Sequence, residues 1–315
     1  MRRILGFVLT VMLFFVGLAS PGRALAAESG AYVAGSSRLD SRTLDLTIVS
    51  PNVDGGRRTV RLLLPPGWSA TADRTWPTLW FLHGGFDDYR SWSDKTDLKD
   101  ATAGRDAIVV LPDTSWCSAY SDWWNHGSGG APRWETYLTE DVAQILERGY
   151  RASAVRAVAG NSMGGLGALK LTAAHPGFFR GAASFSGNLD PLHSGLGDGG
   201  YDKPGLACWA DWTRVWGDPE IPAQRAIWVR NDPYEQALRL RGAALFISSG
   251  DGTGGLLTDV VERTVDLESK AVVARLRGAG VPVTAHFYAP GTHAWSYWQR
   301  EMHAALPLLF TSMNL

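Results

Sequence analysis

Short apolar segments alternate with turn residues along most of the chain. Eight segments are rich in β-branched and aromatic residues and are bounded by turn-forming residues, so each predicts a strand. The strands are expected at Leu44–Ser50, Thr59–Leu64, Thr78–His83, Ala107–Leu111, Val155–Gly160, Gly181–Ser186, Ala243–Ser249 and Val283–Tyr288. The turn sequence Asp54-Gly55-Gly56 separates the first two strands and predicts an antiparallel hairpin.

Helical periodicity appears between the later strands. RWETYLTEDVAQILERGY (133–150) carries an apolar stripe, and VERTVDLESKAVVARLRGAG (261–280) carries another that stops at Gly278 and Gly280. Strands that alternate with helices predict an α/β fold. We expect a mostly parallel central sheet of about eight strands with helices on both faces, and the leading hairpin adds antiparallel edge strands.

A long irregular stretch, about residues 187–240, separates two of the predicted strands. Connections of this length within a compact domain are usually functional or form a cap. The stretch holds a tryptophan cluster formed by Trp209, Trp212, Trp216 and Trp228. Each of these side chains is expected in the core, with an apolar ligand cleft as the alternative. We predict one domain over residues 28–315 with a lid-like insertion.

The N-terminus has the pattern of an export signal. Arg2 and Arg3 precede the apolar run Ile4–Ala19, and Ala24-Leu25-Ala26 forms a small-x-small cleavage site. The run is shorter than the roughly 20 residues that a membrane-spanning helix needs. We predict a signal peptide over residues 1–27 and a secreted or cell-envelope protein with no stable membrane span after cleavage. An uncleaved anchor is the alternative.

Composition narrows the choice of partners. The chain is 45% hydrophobic and 19% charged, which indicates a folded globular protein. Its net charge of −1 gives no electrostatic reason to expect nucleic acid as a partner. Cys117 and Cys208 are the only cysteines. Export permits a disulfide between them, which we expect, with two buried thiols as the alternative.

The segment VAGNSMGGLGAL (158–169) is the strongest chemical motif. It reads as strand, tight turn and helix, with Ser162 between small residues at the turn. This context is typical of a nucleophile elbow, in which the sharp turn raises the serine hydroxyl above the sheet. The amide of Met163, at the start of the helix, would then face a developing oxyanion. Ser162 is therefore the candidate nucleophile.

A serine needs a base, and His293 is the best placed histidine. In α/β-hydrolases the order along the chain is serine, acid, histidine. His286 lies within a predicted strand and His303 in a terminal helix, whereas His293 follows the last strand on a glycine-containing loop. Such a loop is where the base of this arrangement belongs.

A second oxyanion donor is expected from the loop after the strand Thr78–His83. There the sequence WFLHGGFDDYRSW contains His83-Gly84-Gly85, which resembles the HG-type oxyanion motif. The backbone N–H of Gly85 or of Phe86 would supply the donor.

The acid has two candidates. Asp251 follows the strand Ala243–Ser249, and Glu262 lies near the start of the next long helix. A loop at the carboxyl end of a strand reaches the site readily, so this reasoning alone slightly favours Asp251.

Seven short motifs together resemble the mycoloyltransferases and related secreted esterases. They run in order along the chain as YSDWW, WETYLTEDV, GNSMGG, SFSGNLDP, RVWGDP, RNDP and GTHAWSYW. The resemblance implies an α/β-hydrolase whose serine takes an acyl group from an ester and passes it to a sugar, glycerol or water. It places the acid on Glu262, 31 residues before His293, with Asp251 second. The candidate substrate-binding residues are His83, Asp87 and Trp295.

Two departures from the family bear on the acceptor of the acyl group. Trehalose-using members carry an acid and an arginine where this chain has His83 and Phe86. GNSMGG is also more similar to the esterase branch than to the transferase branch. Both differences favour hydrolysis over transfer.

The sequence therefore predicts a secreted serine esterase that acts through an acyl-enzyme on Ser162. One alternative is a mycoloyltransferase-type acyltransferase, and a second is a non-catalytic surface binding protein, which has no need of a complete serine–acid–histidine set. The expected substrate is an acyl ester, with a lipid or an acylated sugar as candidates. No metal-ligand spacing, phosphate loop or dinucleotide motif is present, so no metal or cofactor is expected.

Overall fold

One nine-stranded sheet organises the computed structural model, which describes residues 26–130, 132–193, 213–256 and 259–315. The strands are β1 (Tyr32–Arg38), β2 (Thr43–Val49), β3 (Arg57–Leu63), β4 (Trp76–Leu82), β5 (Ile108–Pro112), β6 (Ala152–Asn161), β7 (Gly181–Phe185), β8 (Ala244–Gly250) and β9 (Thr284–Tyr288). Their order across the sheet is β1-β2-β3-β5-β4-β6-β7-β8-β9.

The sheet is antiparallel at one edge and parallel elsewhere. β1, β2, β3 and β5 pair antiparallel in succession, and all pairs from β5–β4 to β8–β9 are parallel. The predicted turn at Asp54-Gly55-Gly56 joins β2 to β3 as a short 3₁₀ helix. Because parallel strands leave the sheet at the same edge, the loops after β4, β6, β8 and β9 lie side by side.

The described helices follow in chain order between and after the strands. They are α1 (Ser91–Lys95), α2 (Leu98–Ala101), α3 (Trp134–Thr136), α4 (Ala143–Gly149), α5 (Met163–Ala174), α6 (Thr213–Trp216), α7 (Pro222–Asn231), α8 (Val260–Gly278) and α9 (Trp295–Ser312). A π-helical stretch, Tyr137–Val142, joins α3 to α4. No helix of the described chain is both long and apolar enough to cross a membrane.

The helices cover both faces of the sheet, as the sequence predicts. On one face, α4, α5 and α8 pack against residues such as Trp80, Val158 and Ile247. On the other face, α1, α2 and α9 pack against a second set that includes Phe81 and Phe185. The mostly parallel sheet between two helical layers is the α/β-hydrolase arrangement.

Three sequence predictions fall partly outside the described residues. Most of the predicted signal peptide and the residues Trp209, Trp212 and Cys208 lie there. The described part of the 187–240 stretch contains α6 and α7, and their Trp216 and Trp228 are buried with ring centroids 5.3 Å apart. These two tryptophans also pack against α5, so they belong to the core.

Candidate active site

Ser162 occupies a sharp turn between β6 and α5. Its backbone has φ 52° and ψ −120°, a conformation that costs a non-glycine residue about 1–3 kcal/mol. A Cβ atom at Gly160 would lie 2.3 Å from the carbonyl oxygen of Gly164. A Cβ atom at Gly164 would lie 2.2 Å from the carbonyl oxygen of Leu82. The motif therefore needs its two glycines because the turn packs backbone against backbone.

His293 lies beside Ser162, on the loop between β9 and α9. Its Nε2 atom is 2.9 Å from Ser162 Oγ, and its Nδ1 atom is 2.8 Å from Glu262 Oε2. The ring packs edge-on against Trp298, with centroids 4.9 Å apart. If Nδ1 carries the hydrogen and donates it to Glu262, Nε2 is free to accept the hydroxyl proton of Ser162.

Glu262 lies in the first turn of α8 and is fully buried. Its Oε1 atom accepts hydrogen bonds from Ser186 Oγ at 2.8 Å and from the Gly250 amide at 2.6 Å. A buried carboxylate stays ionised only when its oxygens are hydrogen-bonded or paired in this way. The two donors leave Oε2 for His293.

Asp259 fixes the acid and the histidine relative to each other. Its Oδ1 atom accepts from the Glu262 amide at 3.0 Å and caps α8, while Oδ2 accepts from the His293 amide at 2.7 Å. Asp259 was not predicted as a site residue, although Asp259-x-x-Glu262 has the spacing of a capping box. That spacing would have marked the start of α8 and supported Glu262.

Asp251 turns its carboxylate toward its own loop. Oδ1 accepts from the Thr253 amide at 3.0 Å and from the Thr253 hydroxyl at 2.7 Å. These hydrogen bonds lower the pKa of Asp251. The side chain thus acts as a turn former, and the geometry favours Glu262 as the acid.

The loop after β4 runs against the nucleophile. A Cβ atom at Gly84 would lie 3.5 Å from the Cβ of Ser162. The Phe86 amide donates to the carbonyl oxygen of Trp116 at 3.1 Å. Of the two predicted donors on this loop, the Gly85 amide is therefore the better candidate. The other candidate donor, the Met163 amide, begins α5, where helical N–H groups have no acceptor within the helix.

His83 lies beneath this loop, with only 1% of its surface exposed. Its Nδ1 atom is 2.8 Å from the Gly84 carbonyl oxygen, and Nε2 accepts from the Thr114 amide at 3.3 Å. Burial lowers the pKa of His83. Because Nε2 accepts from the Thr114 amide, Nδ1 carries the ring hydrogen and donates it to the Gly84 carbonyl oxygen. The structure therefore does not support the expected contact between His83 and a substrate; the ring instead holds the loop in place.

Asp87 and Trp295 are linked through a lysine that no sequence motif marks. Lys95 Nζ is 2.5 Å from Asp87 Oδ1 and 5.0 Å from the centre of the Trp295 ring. Trp295 also contacts Trp298, which packs on His293. Asp87 and Trp295 thus belong to a series of side-chain contacts that runs from Asp87 through Lys95, Trp295 and Trp298 to His293.

A separate group of described side chains has ligand atoms suited to a metal ion. The ligand atoms of Asp190, His193 and Asp232 lie within 4.8 Å of one another. Burial raises the pKa of Asp232 to about 7. Its oxygens already accept from the amides of Leu192 and Tyr234, and Asp190 bonds His193 at 2.7 Å. These contacts explain the group as a set of turn-stabilising interactions.

A serine on a strand–helix turn, a histidine bonded to it and a buried carboxylate behind the histidine define the serine hydrolases of α/β-hydrolase fold. The family described as "Putative esterase" matches residues 51–309. The chain belongs to this esterase family, in which it is similar to the antigen 85 proteins, and it is an enzyme with esterase or acyltransferase activity.

Several curated relatives are acyltransferases. The chain is 32% identical over 255 residues to the diacylglycerol acyltransferase/mycolyltransferase Ag85B of Mycobacterium leprae, covering 73% of this chain and 74% of that protein. It is 33% identical over 252 residues to Ag85A of Mycobacterium gordonae, covering 72% and 70% respectively.

Solved structures share the fold. MPT51 of Mycobacterium tuberculosis has a TM-score of 0.70 at 23% identity, over 89% of this chain and 99% of that chain. An S-formylglutathione hydrolase from Agrobacterium tumefaciens has a TM-score of 0.68 at 17% identity, over 90% and 98%. At these identities the likeness confirms the α/β-hydrolase fold.

Proposed function

We propose that this protein is an exported serine esterase that hydrolyses carboxylic esters through an acyl-enzyme on Ser162. The observation that carries the proposal is the continuous set of hydrogen bonds from Ser162 Oγ through His293 to the buried Glu262. The three side chains have the geometry of a catalytic triad, because the distances from His293 to Ser162 Oγ and to Glu262 Oε2 are both below 3 Å.

In the first half of the reaction, Ser162 Oγ attacks the ester carbonyl while His293 Nε2 takes the hydroxyl proton. The negative charge that forms on the carbonyl oxygen is stabilised by the amides of Met163 and Gly85, each such donor being worth about 3 kcal/mol. The C–O bond to the alcohol then breaks, and His293 returns its proton to the leaving alcohol. The acyl group remains on Ser162.

In the second half, water attacks the acyl-enzyme and His293 again takes and returns one proton. The carboxylic acid leaves, and Ser162 recovers its hydroxyl hydrogen. Glu262 does not take the proton in either half: its carboxylate stabilises the imidazolium, and its Oε2 atom holds Nδ1–H of His293 in place. Ser186 and Gly250 support that charge through Oε1.

Acyl transfer to a sugar or glycerol hydroxyl is the second candidate, favoured by the acyltransferase names of relatives that are 30–33% identical. Hydrolysis is favoured by the oxyanion loop, where His83 is buried and Phe86 presents an aromatic ring. The expected acyl donors are simple esters, lipids or acylated sugars.

Product analysis separates the two candidates. With a short-chain vinyl ester as donor, we expect free acid to be the main product even when glycerol or trehalose is added. The products are quantified by mass spectrometry, together with the acyl adduct on the Ser162 peptide. If the acylated acceptor forms faster than the free acid, transfer is the main activity and hydrolysis the side reaction.

Ser186 provides a further test of the proposed role of Glu262. Ser186→Ala removes one hydrogen bond to a buried carboxylate, so we expect kcat/KM to fall by about 10- to 100-fold. Ser184→Ala is the matched control, because Ser184 lies two residues earlier in β7 and its buried hydroxyl has no hydrogen-bond partner among the described residues. Equal activity in the two variants would contradict a supporting role for Ser186.

We also propose the organisation that the sequence predicts. Residues 1–27 act as a signal peptide for export, and residues 28–315 form one domain with an insertion over 187–240. Cys117 and Cys208 form a disulfide after export. The pattern of the N-terminal residues and the presence of only two cysteines support these proposals.

A further inference from the structure

Two large aromatic side chains stand exposed on the oxyanion loop and the loop after β5. Phe86 is 60% exposed and Trp116 is 45% exposed. Their ring centroids are 5.2 Å apart with the planes inclined by 55°, and the Phe86 amide donates to the Trp116 carbonyl oxygen at 3.1 Å. The pair is therefore held in a fixed arrangement while much of its surface faces solvent.

The pair is close to the reacting serine. A Cβ atom at Gly84 would lie 3.5 Å from the Cβ of Ser162, and Phe86 follows two residues later. Consecutive Cα atoms are about 3.8 Å apart, so the Phe86 Cα lies within roughly 8 Å of the Gly84 Cα. Gly85, the candidate oxyanion donor, lies between them. The backbone of Phe86 therefore lies on the stretch of loop that runs past the reacting serine.

The backbone at Phe86 is unusual for such a residue. Its φ is 62°, in the left-handed region that a bulky side chain seldom occupies. Burial does not compensate for this conformation, since Phe86 as a residue is 60% exposed. A strained conformation that presents an apolar ring to solvent beside a nucleophile indicates a binding role.

The charged neighbours of Phe86 are already engaged. Asp87 pairs with Lys95 at 2.5 Å, and Asp88 pairs with the Arg90 side chain at 2.6 Å and its amide at 2.8 Å. To bind a sugar ring, a site needs polar groups that hydrogen-bond the sugar hydroxyls beside the aromatic side chain. To bind a planar apolar ring, the aromatic side chain alone is enough. The surroundings of Phe86 therefore suit an aromatic group better than a sugar.

We propose that Phe86 and Trp116 form a platform on which an aromatic ring of the ester stacks, and that they make the enzyme selective for aryl-bearing esters. The proposal rests on the proposed esterase function of Ser162. The ring could belong to the acyl part or to the alcohol part of the ester, and matched substrates distinguish these two sources.

The test compares each aromatic ester with its saturated analogue of similar chemical reactivity. Methyl 3-phenylpropanoate and methyl 3-cyclohexylpropanoate vary the acyl part, and benzyl acetate and cyclohexylmethyl acetate vary the alcohol part. In the wild type we expect kcat/KM to favour the aromatic member of one pair by about 3- to 10-fold. Phe86→Leu and Trp116→Leu should abolish that ratio, and Phe86→Tyr should retain it.

Each ratio is measured on one protein preparation, so a variant that folds poorly lowers both rates and leaves the ratio interpretable. Leu238→Ala is the control, because Leu238 is 61% exposed on a distant 3₁₀ helix, Ala237–Leu240, and should not change the ratio. No aromatic preference in either pair, or a preference that survives in both leucine variants, overturns the platform.

Two other outcomes have separate meanings. If trehalose inhibits the wild type and Phe86→Leu removes that inhibition, the platform binds a sugar and the aryl assignment is overturned. If the wild type hydrolyses none of the four esters, nor ethyl butanoate, the proposed esterase function fails, and this inference fails with it.

Discussion

Replacement of Ser162 by alanine is expected to lower kcat/KM for a short-chain ester by about 10⁵- to 10⁶-fold. The variant retains Cβ and the backbone of the turn but loses the only atom that can form the acyl-enzyme. What remains is the slow attack of water assisted by the oxyanion donors. Ester hydrolysis and labelling by a fluorophosphonate measure the loss, and the melting temperature should remain close to that of the wild type.

Two comparisons make this result specific to Ser162. Ser69→Ala removes an exposed serine whose hydroxyl bonds Thr71, and it should leave activity and labelling unchanged. Combining Ser162→Ala with His293→Ala should cost little more than either change alone, because the two residues act as one unit. If fluorophosphonate still labels Ser162→Ala, the nucleophile is another residue and the proposed mechanism is wrong.

The central strands could be predicted because both of their faces are buried. β4 and β5 consist almost entirely of buried residues, so their apolar runs stand out in the sequence. β1 (Tyr32–Arg38) was missed for the opposite reason. Its residues YVAGSSR are nearly all exposed, and the strand exists because it pairs with β2 along the edge of the sheet. Pairing through the backbone leaves little trace in a hydrophobic pattern.

The predicted site residues differ in how much local sequence says about them. Ser162 is marked by the glycines that its turn requires, and His293 by its loop after the last strand. The acid is marked less clearly, because Asp251 and Glu262 both follow β8 within a dozen residues and only the capping-box spacing Asp259-x-x-Glu262 distinguishes them locally. The family resemblance favoured Glu262, and the distance to His293 agrees with it.

Supporting residues were harder to predict because they act through contacts distant in sequence. Ser186 and Glu262 are 76 residues apart, and Trp298 donates to Ser186 Oγ from α9 at 3.1 Å. His83 shows the converse error. The HGG motif places it next to the oxyanion donor, but the chain direction at the end of β4 turns its ring into the interior.

Glu262→Gln is expected to lower kcat by about 10⁴-fold, whereas Asp251→Asn should change it less than about two-fold. In the wild type, both oxygens of Glu262 accept hydrogen bonds, Oε1 from Ser186 and Gly250 and Oε2 from His293. A glutamine has only one acceptor oxygen. With that oxygen turned toward Ser186 and Gly250, its NH₂ group faces Nδ1 of His293.

Two donors cannot share that contact, so His293 must move its hydrogen to Nε2, where it can no longer accept the proton of Ser162. The loss should therefore appear in kcat, with the melting temperature and the KM for a small ester changed much less. Asp251→Asn keeps an oxygen that can still accept from Thr253, and its side chain has no bond to His293. A severe loss in Asp251→Asn together with an active Glu262→Gln would reverse the assignment of the acid, because only the residue that sets the tautomer of His293 can produce the larger defect.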